Sequence, residues 1–246
     1  MQSKASASMV NMPVASAREQ AILKIDPPDH PHLVVNEALH LAHAKALKIP
    51  VAQARTVVDQ HGVVGLWVTR FDRVSTNGSF TKLAMEDGAQ VVGVLPGRKY
   101  TLDTETVVNA LEQHCASPLV AARNLYLQFL FAWLSGNGDL HAKNISILRD
   151  LQGRWNVAPI YDIPCTMLYR DMSMALPIAG RDKGLSRRHW LELADSIGLP
   201  QAVASSAIEQ ALRAASAVDL GTLPFAGSPL IGAERELRIR RSKIEG

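Results

Sequence analysis

Gly136-Asn137-Gly138-Asp139-Leu140-His141-Ala142-Lys143-Asn144 runs directly into Ile145-Ser146-Ile147-Leu148-Arg149, and after Asp150-Leu151-Gln152-Gly153 the chain continues from Arg154 to Ile160 and on to Tyr161-Asp162-Ile163. Two alternating apolar and polar stretches joined by a Gly-containing turn predict a β-hairpin. Pairing about that turn brings the residue before the first strand beside the residue after the second. Asn144 and Asp162, eighteen positions apart, are therefore expected at the same end. An amide oxygen and a carboxylate held together in this way can clamp magnesium against the phosphates of a nucleotide. Asp139, five residues ahead of Asn144 in a loop bounded by glycines, can accept or orient the proton of an attacking hydroxyl, and Lys143 can offset charge on the moving phosphoryl group. His141 is expected to brace the loop beside the nucleotide. Any one Asp or Asn in such a turn could be capping a helix or closing a loop; the combination on one hairpin points to phosphoryl transfer.

Outward from this motif, Leu119 to Leu134 reads as a helix apolar nearly all round, hence buried, stopped by Ser135-Gly136-Asn137-Gly138. Asp103 or Thr104 can cap a helix running to about Cys115, and Ser186–Ile197 and Ala202–Val218 supply two more. Toward the N-terminus, Ala21-Ile22-Leu23-Lys24-Ile25 predicts a strand closed by Asp26-Pro27-Pro28, and Leu33–Leu47 a helix. Arg55–Val58 and Gly62–Phe71 predict two further strands. Lys24 could extend its apolar stem to solvent at a sheet edge, or reach the α and β phosphates while held by an acid from the next helix, for which Glu37 is the best placed. The polar passage Asp72–Gly78 is the candidate hinge. The expected fold class is α+β, with a strand-helix-strand-strand unit over residues 1–75 and a mainly helical part over 76–246.

A chain of 246 residues, 47% hydrophobic and 20% charged, is long enough for a substantial core. A net charge of +3 is too small to imply nucleic acid as a direct partner. The basic run in Glu234–Lys243 reads as a solvated helix or a frayed end. Two cysteines, Cys115 and Cys165, with no metal-type spacing, suggest neither a zinc site nor a disulfide framework and fit a reducing cytoplasm. His40 and His43 lie three apart on a predicted helix, but no Glu follows His40 as in a zinc-protease motif. No apolar run has the length and purity of a membrane span.

These residues resemble the HipA-like serine/threonine kinases of bacterial toxin–antitoxin systems. The resemblance rests on Gly136–Ser146, Ala158–Ile163 and Met174-Ala175-Leu176-Pro177-Ile178, together with Trp67–Arg73 and Met85-Glu86-Asp87, and runs from about Gln2 to Pro200. It implies a two-lobed protein-kinase-like fold that transfers the γ-phosphate of ATP to a serine of a protein substrate, typically a translation component such as an aminoacyl-tRNA synthetase. It further implies Asp139 as the catalytic aspartate, Asn144 and Asp162 as Mg2+ ligands, Lys24 as the phosphate-binding lysine, and the backbone from Thr69 to Phe71 as the adenine contact. The partner it implies is a HipB-like helix-turn-helix antitoxin, through which operator DNA is met only indirectly. Gln2-Ser3-Lys4 resembles the end of the family's phosphate-binding loop, whose glycine and serines would precede Met1. The chain is thus expected to be N-terminally truncated, or to be completed by a separate chain. Thr69 stands where relatives often carry an acid, and Val35 replaces an acidic residue near Glu37.

Two other readings stay open on the residues alone. Gly138-Asp139-Leu140-His141 with Asn144-Ile145 is also similar to the catalytic loop of aminoglycoside- and choline-type small-molecule kinases. A remnant that binds a partner without turning over ATP is the non-enzymatic alternative.

Overall fold

Val10, Met12 and Val14 alternate with Asn11 and Pro13, and the proline in mid-run is what hides a strand from sequence reading. In the computed structural model, which describes residues 9–16, 19–76 and 78–245, β1 (Val10–Ala15) nevertheless forms and pairs antiparallel with β2 (Gln20–Ile25). It lies at the edge of its sheet, where a proline's missing N–H disturbs no ladder. With β3 (Ala54–Val58) and β4 (Val64–Thr69) these strands make an antiparallel sheet in the order β1-β2-β4-β3. The N-terminal unit therefore carries one strand more than the sequence suggested. Gln2-Ser3-Lys4 lies outside the described residues.

α1 (Leu33–Ala44) lies against β3 and β4 and buries Leu33, Val34, Glu37, Leu41 and Ala44, spaced three and four apart as one helix face requires. Its start is set by Asp26, whose carboxylate accepts the backbone N–H groups of His32 and Val34, each at 2.7 Å. These are donors with no partner inside the helix, and the acid at that end also suits the helix dipole.

Around the candidate hinge the chain forms a ribbon in which β5 (Arg73–Thr76) pairs antiparallel with β6 (Ser79–Lys82). Its polarity reflects strands exposed along most of their length, a composition that reads like a loop. Asp72 anchors the ribbon by taking both Arg70 and Arg73 as ion-pair partners. β7 (Met85–Asp87) then enters α2 (Gly88–Val92) through a capping box in which Asp87 accepts from Gln90 N–H at 2.9 Å.

The helical part is organised by α4 (Pro118–Ser135), every residue of which from Leu125 to Ser135 is buried. Around it lie α3 (Thr104–Glu112), α6 (Gln201–Ser216) and α7 (Ser228–Glu245), while α5 (Arg187–Ser196) packs on α6 and α7. Burying side chains such as Phe129, Phe131 and Trp133 contributes on the order of 2–3 kcal/mol each before entropy is counted. α7 corrects the expectation of a solvated or frayed tail: Ala233, Leu237, Arg240 and Ile244 form its buried face. The Arg240 guanidinium stacks 3.4 Å from the centroid of the Trp133 ring and donates to Trp133 O at 3.1 Å and Met172 O at 2.6 Å. The carbonyls at the end of α4 need donors and favour a cation, so a charge that reads as solvent-facing in sequence is internal. Among the described residues no helix is long and apolar enough to cross a membrane.

Candidate active site

The hairpin forms as β8 (Ser146–Arg149) and β9 (Trp155–Val157), with β7 completing a three-stranded antiparallel sheet. Asp150 closes the turn by accepting from the N–H groups of Gln152 and Arg154 at 3.0 and 2.9 Å. At the opposite end the Tyr161 hydroxyl reaches Lys143 O at 3.0 Å and Ser146 Oγ at 2.7 Å. The residue before Asp162 thus touches the residue before Asn144, and the two ends of the ribbon meet.

α4 delivers the loop that carries Asp139. Gly136 leaves the helix in the left-handed region (φ 85°), and a Cβ there would lie 2.7 Å from Cys165 Sγ. Gly138 is required for a different reason: a Cβ would lie 2.3 Å from Ser173 O, so this backbone can approach the 166–173 segment only without a side chain. Between them, Asn137 Oδ1 accepts Asp139 N–H at 2.8 Å while its Nδ2 donates to Asp162 O at 3.3 Å. One amide therefore ties the candidate catalytic aspartate to the candidate metal loop. Asp139 is fully buried; its Oδ1 accepts the Tyr100 hydroxyl at 2.9 Å, and its carbonyl accepts Asn144 Nδ2 at 3.1 Å. Committing that amide nitrogen leaves Asn144 Oδ1 as the atom to offer a cation.

From the sheet, Lys24 on β2 meets Glu37 on α1 at 2.8 Å from both carboxylate oxygens, and Asp162 Oδ1 at 3.3 Å. Burial by itself would lower the Lys24 pKa; the carboxylates of Asp162 and Glu37 outweigh it and raise it, so the amine stays charged. Asp162 sits at φ 56°, a backbone conformation uncommon outside glycine, and Glu37 Oε1 also accepts its N–H at 3.2 Å. The helical part is held to α1 by Asn36, whose amide pairs with both backbone groups of Cys165, at 3.0 and 2.8 Å.

Beside Lys24 opens a cavity of 150 Å³ lined by Ile22, Val68, Thr69, Phe71, Met85 and Tyr161. Thr69, which lines this cavity, donates its N–H to Gln53 O at 2.9 Å and its hydroxyl to Glu19 at 2.7 Å. The Phe71 ring lies 5.7 Å from that of Tyr161.

Two residues near Asp139 carry no signal in the sequence. Lys99 and Tyr100 follow a 3-10 turn over Pro96–Arg98 and reach the loop from outside the hairpin. The Lys99 ammonium donates to His141 Nε2 at 2.6 Å, and the His141 ring sits edge-on to Tyr100, centroids 5.1 Å apart. Burial first, then Lys99, pushes the His141 pKa down to about 4, so the imidazole is neutral and acts as an acceptor. No motif marks such residues; a lysine next to a tyrosine in a loop gains meaning only from what it touches. Lys143 sits half-buried on the same loop, within electrostatic range of Lys99.

Among the described residues no cluster of three His, Cys, Asp or Glu side chains could hold a metal by itself. Asp162 and Asn144 offer hard oxygens in the small number that suits magnesium, which typically takes one or two protein oxygens and completes its shell with phosphate and water.

The site thus joins a buried aspartate, a hairpin whose ends meet, and a lysine–glutamate pair from a neighbouring strand and helix. The family model for the HipA-like C-terminal domain matches residues 1–218. The chain belongs to that family. The Sinorhizobium fredii protein Y4mE, provisionally named a kinase, is 32% identical over 177 residues, covering 69% of this chain and 42% of its own length. The serine/threonine-protein kinase toxin HipA of Shewanella oneidensis is 27% identical over 190 residues, covering 69% and 43% respectively. The chain thus spans about half the length, or less, of the curated relatives it matches. The solved complex of Shewanella oneidensis HipA, HipB and operator DNA superposes with a TM-score of 0.78 at 22% identity, covering 97% of this chain and 64% of that one. The fold is the α+β, two-lobed protein-kinase-like fold of this family.

Proposed function

We propose that this chain is a Mg2+- and ATP-dependent serine/threonine phosphotransferase of the HipA type. The observation that carries the reading is the convergence of Lys24, Glu37 and Asp162 from a strand, a helix and the end of a hairpin, with Asn137 tying Asp162 to Asp139. In this reading the nucleotide lies between an N-terminal portion, residues 1–75, and the helical remainder, 76–246. The apolar cavity beside Phe71 receives adenine, and Lys24 meets phosphate oxygens. Asn144 and Asp162 would hold magnesium, which when bound neutralises charge on the phosphates.

The chemistry asked of the chain is modest, because phosphoryl transfer is mostly positioning and charge stabilisation. Asp139 orients the acceptor hydroxyl and receives its proton. The bond from the γ-phosphorus to the oxygen bridging it to ADP breaks, ADP leaves with that electron pair, and a new bond joins phosphorus to the acceptor oxygen. Lys143 offsets charge on the group in transit. The acceptor expected from the family is a protein serine, on a translation component such as an aminoacyl-tRNA synthetase. A HipB-like antitoxin is the expected partner, which the complex of the Shewanella oneidensis relative supports.

The test is calorimetry of ATP binding to the intact chain with and without Mg2+, repeated with Asp162→Ala, alongside phosphate transfer to protein serine with Asp139→Asn. Mg2+-dependent binding lost in Asp162→Ala, and transfer lost in Asp139→Asn with binding kept, are the expected results. Unchanged transfer in Asp139→Asn would overturn the assigned role.

A further inference from the structure

Lys99 is a cation that the scheme above does not use. It is half-buried, no carboxylate lies within ion-pair distance of it among the described residues, and its one hydrogen bond is to the uncharged Nε2 of His141 at 2.6 Å. Its ammonium also lies 4.9 Å from the centroid of the Tyr100 ring, whose hydroxyl holds Asp139. His141 is 4% exposed, and its other ring nitrogen is buried without a partner. A fold seeking only stability gains little from this arrangement: the ammonium is partly stripped of water and the imidazole N–H goes unanswered, each at a cost. The position of the charge is what the arrangement secures. Lys99 lies within electrostatic range of Asp139, Asp162 and Lys143 together, the groups that surround the point of transfer. Lys24, by contrast, approaches Asp162 from the sheet side.

We propose that Lys99, docked on His141, is a further phosphate-binding cation that contacts the terminal phosphoryl group of the nucleotide, while Lys24 serves the phosphates nearer the nucleoside. A neutral imidazole suits this use, because it fixes the ammonium's place without neutralising it, as a carboxylate would. Tyr100 completes the unit by bonding Asp139, so that the aspartate and the cation are set by adjacent residues of one loop.

The inference rests on the phosphotransferase reading, and its test separates the two. Binding of ADP and of the non-hydrolysable triphosphate AMP-PNP, each with Mg2+, is measured by calorimetry on the intact chain and on Lys99→Met, which keeps the apolar stem. Loss of one charge-assisted phosphate contact should weaken AMP-PNP about tenfold or more while ADP changes less than about twofold. Lys99→Arg, which keeps the charge, should recover part of the difference. Equal changes for the two nucleotides, or none, overturn the role of Lys99 and leave the phosphotransferase reading standing. Failure of the unaltered chain to bind either nucleotide overturns both. Should Lys99→Met not fold, Lys99→Gln, which can still donate to His141, reads the same ratio.

Discussion

Lys24 Nζ and Asp162 Oδ1 lie 3.3 Å apart although 138 residues separate them in the chain. The contact joins a strand of the N-terminal sheet to the end of the hairpin, and Glu37 shares the same ammonium at 2.8 Å. A divalent cation on Asp162 and phosphate at Lys24 would act at the two ends of this contact, which makes it the natural reporter of nucleotide entry.

Lys24→Met should destabilise the chain by about 3–5 kcal/mol, because it leaves the Glu37 carboxylate, which is fully buried, without its counter-charge. Adding Glu37→Gln to that variant should recover much of the loss. Urea denaturation of the two single variants and the double variant reads the coupling directly; simple additivity would show that the pair does not act as a unit.

Gly138→Ala should cost about 1–3 kcal/mol, since its methyl would stand 2.3 Å from Ser173 O and 2.9 Å from Thr166 Oγ1 and force the two segments apart. Phosphate transfer should fall with it, because the same loop positions Asp139. A urea midpoint matching that of the unaltered chain would show that the 166–173 segment yields freely.

Arg240→Lys should not be conservative. The planar guanidinium stacks on Trp133 while donating to Trp133 O and Met172 O, and an ammonium cannot do both. The expected loss is about 1.5–3 kcal/mol in chemical denaturation. A stability within about 0.5 kcal/mol of the original would mean that the buried charge suffices and that the ring stacking and paired donation add nothing.

His40 predicts an acid-side slope in stability. Burial first holds its pKa down at about 4, with His43 on the same helix and Arg241 from α7 also disfavouring the charged form, and the carbonyls of Asn36 and Ser135 opposing them. The unfolded chain therefore binds a proton at this position near pH 6.5 that the folded chain refuses until about pH 4. Stability from this group is complete above pH 6.5, falls as the pH drops through that window, and levels off below it. Thermal melts from pH 7 to pH 4 should show a shallower decline for His40→Met than for the unaltered chain. Parallel curves would remove His40 as the cause.

The sequence by itself determined the elements whose causes are local. The buried helix before the loop was legible because residues 119–134 are apolar nearly all round and Gly136 can take the left-handed exit. The hairpin was legible because alternation and the Asp150–Gly153 turn agree. Topology then placed Asn144 and Asp162 at one end, and Glu37 was the acid within reach of Lys24. What only the tertiary structure decided are contacts whose partners are remote or whose residue type misleads. β1 hides behind Pro13; β5 and β6 read as a loop because most of their residues meet solvent and are polar. Arg240 looks solvated until the carbonyls of α4 are seen to need donors. Lys99 and Tyr100 carry no periodicity and no motif, and Asn137, though inside the motif, takes its role from the two hydrogen bonds that tie Asp139 to Asp162. Periodicity records which face of an element is buried, whereas the placing of individual polar atoms across elements depends on how the whole chain closes.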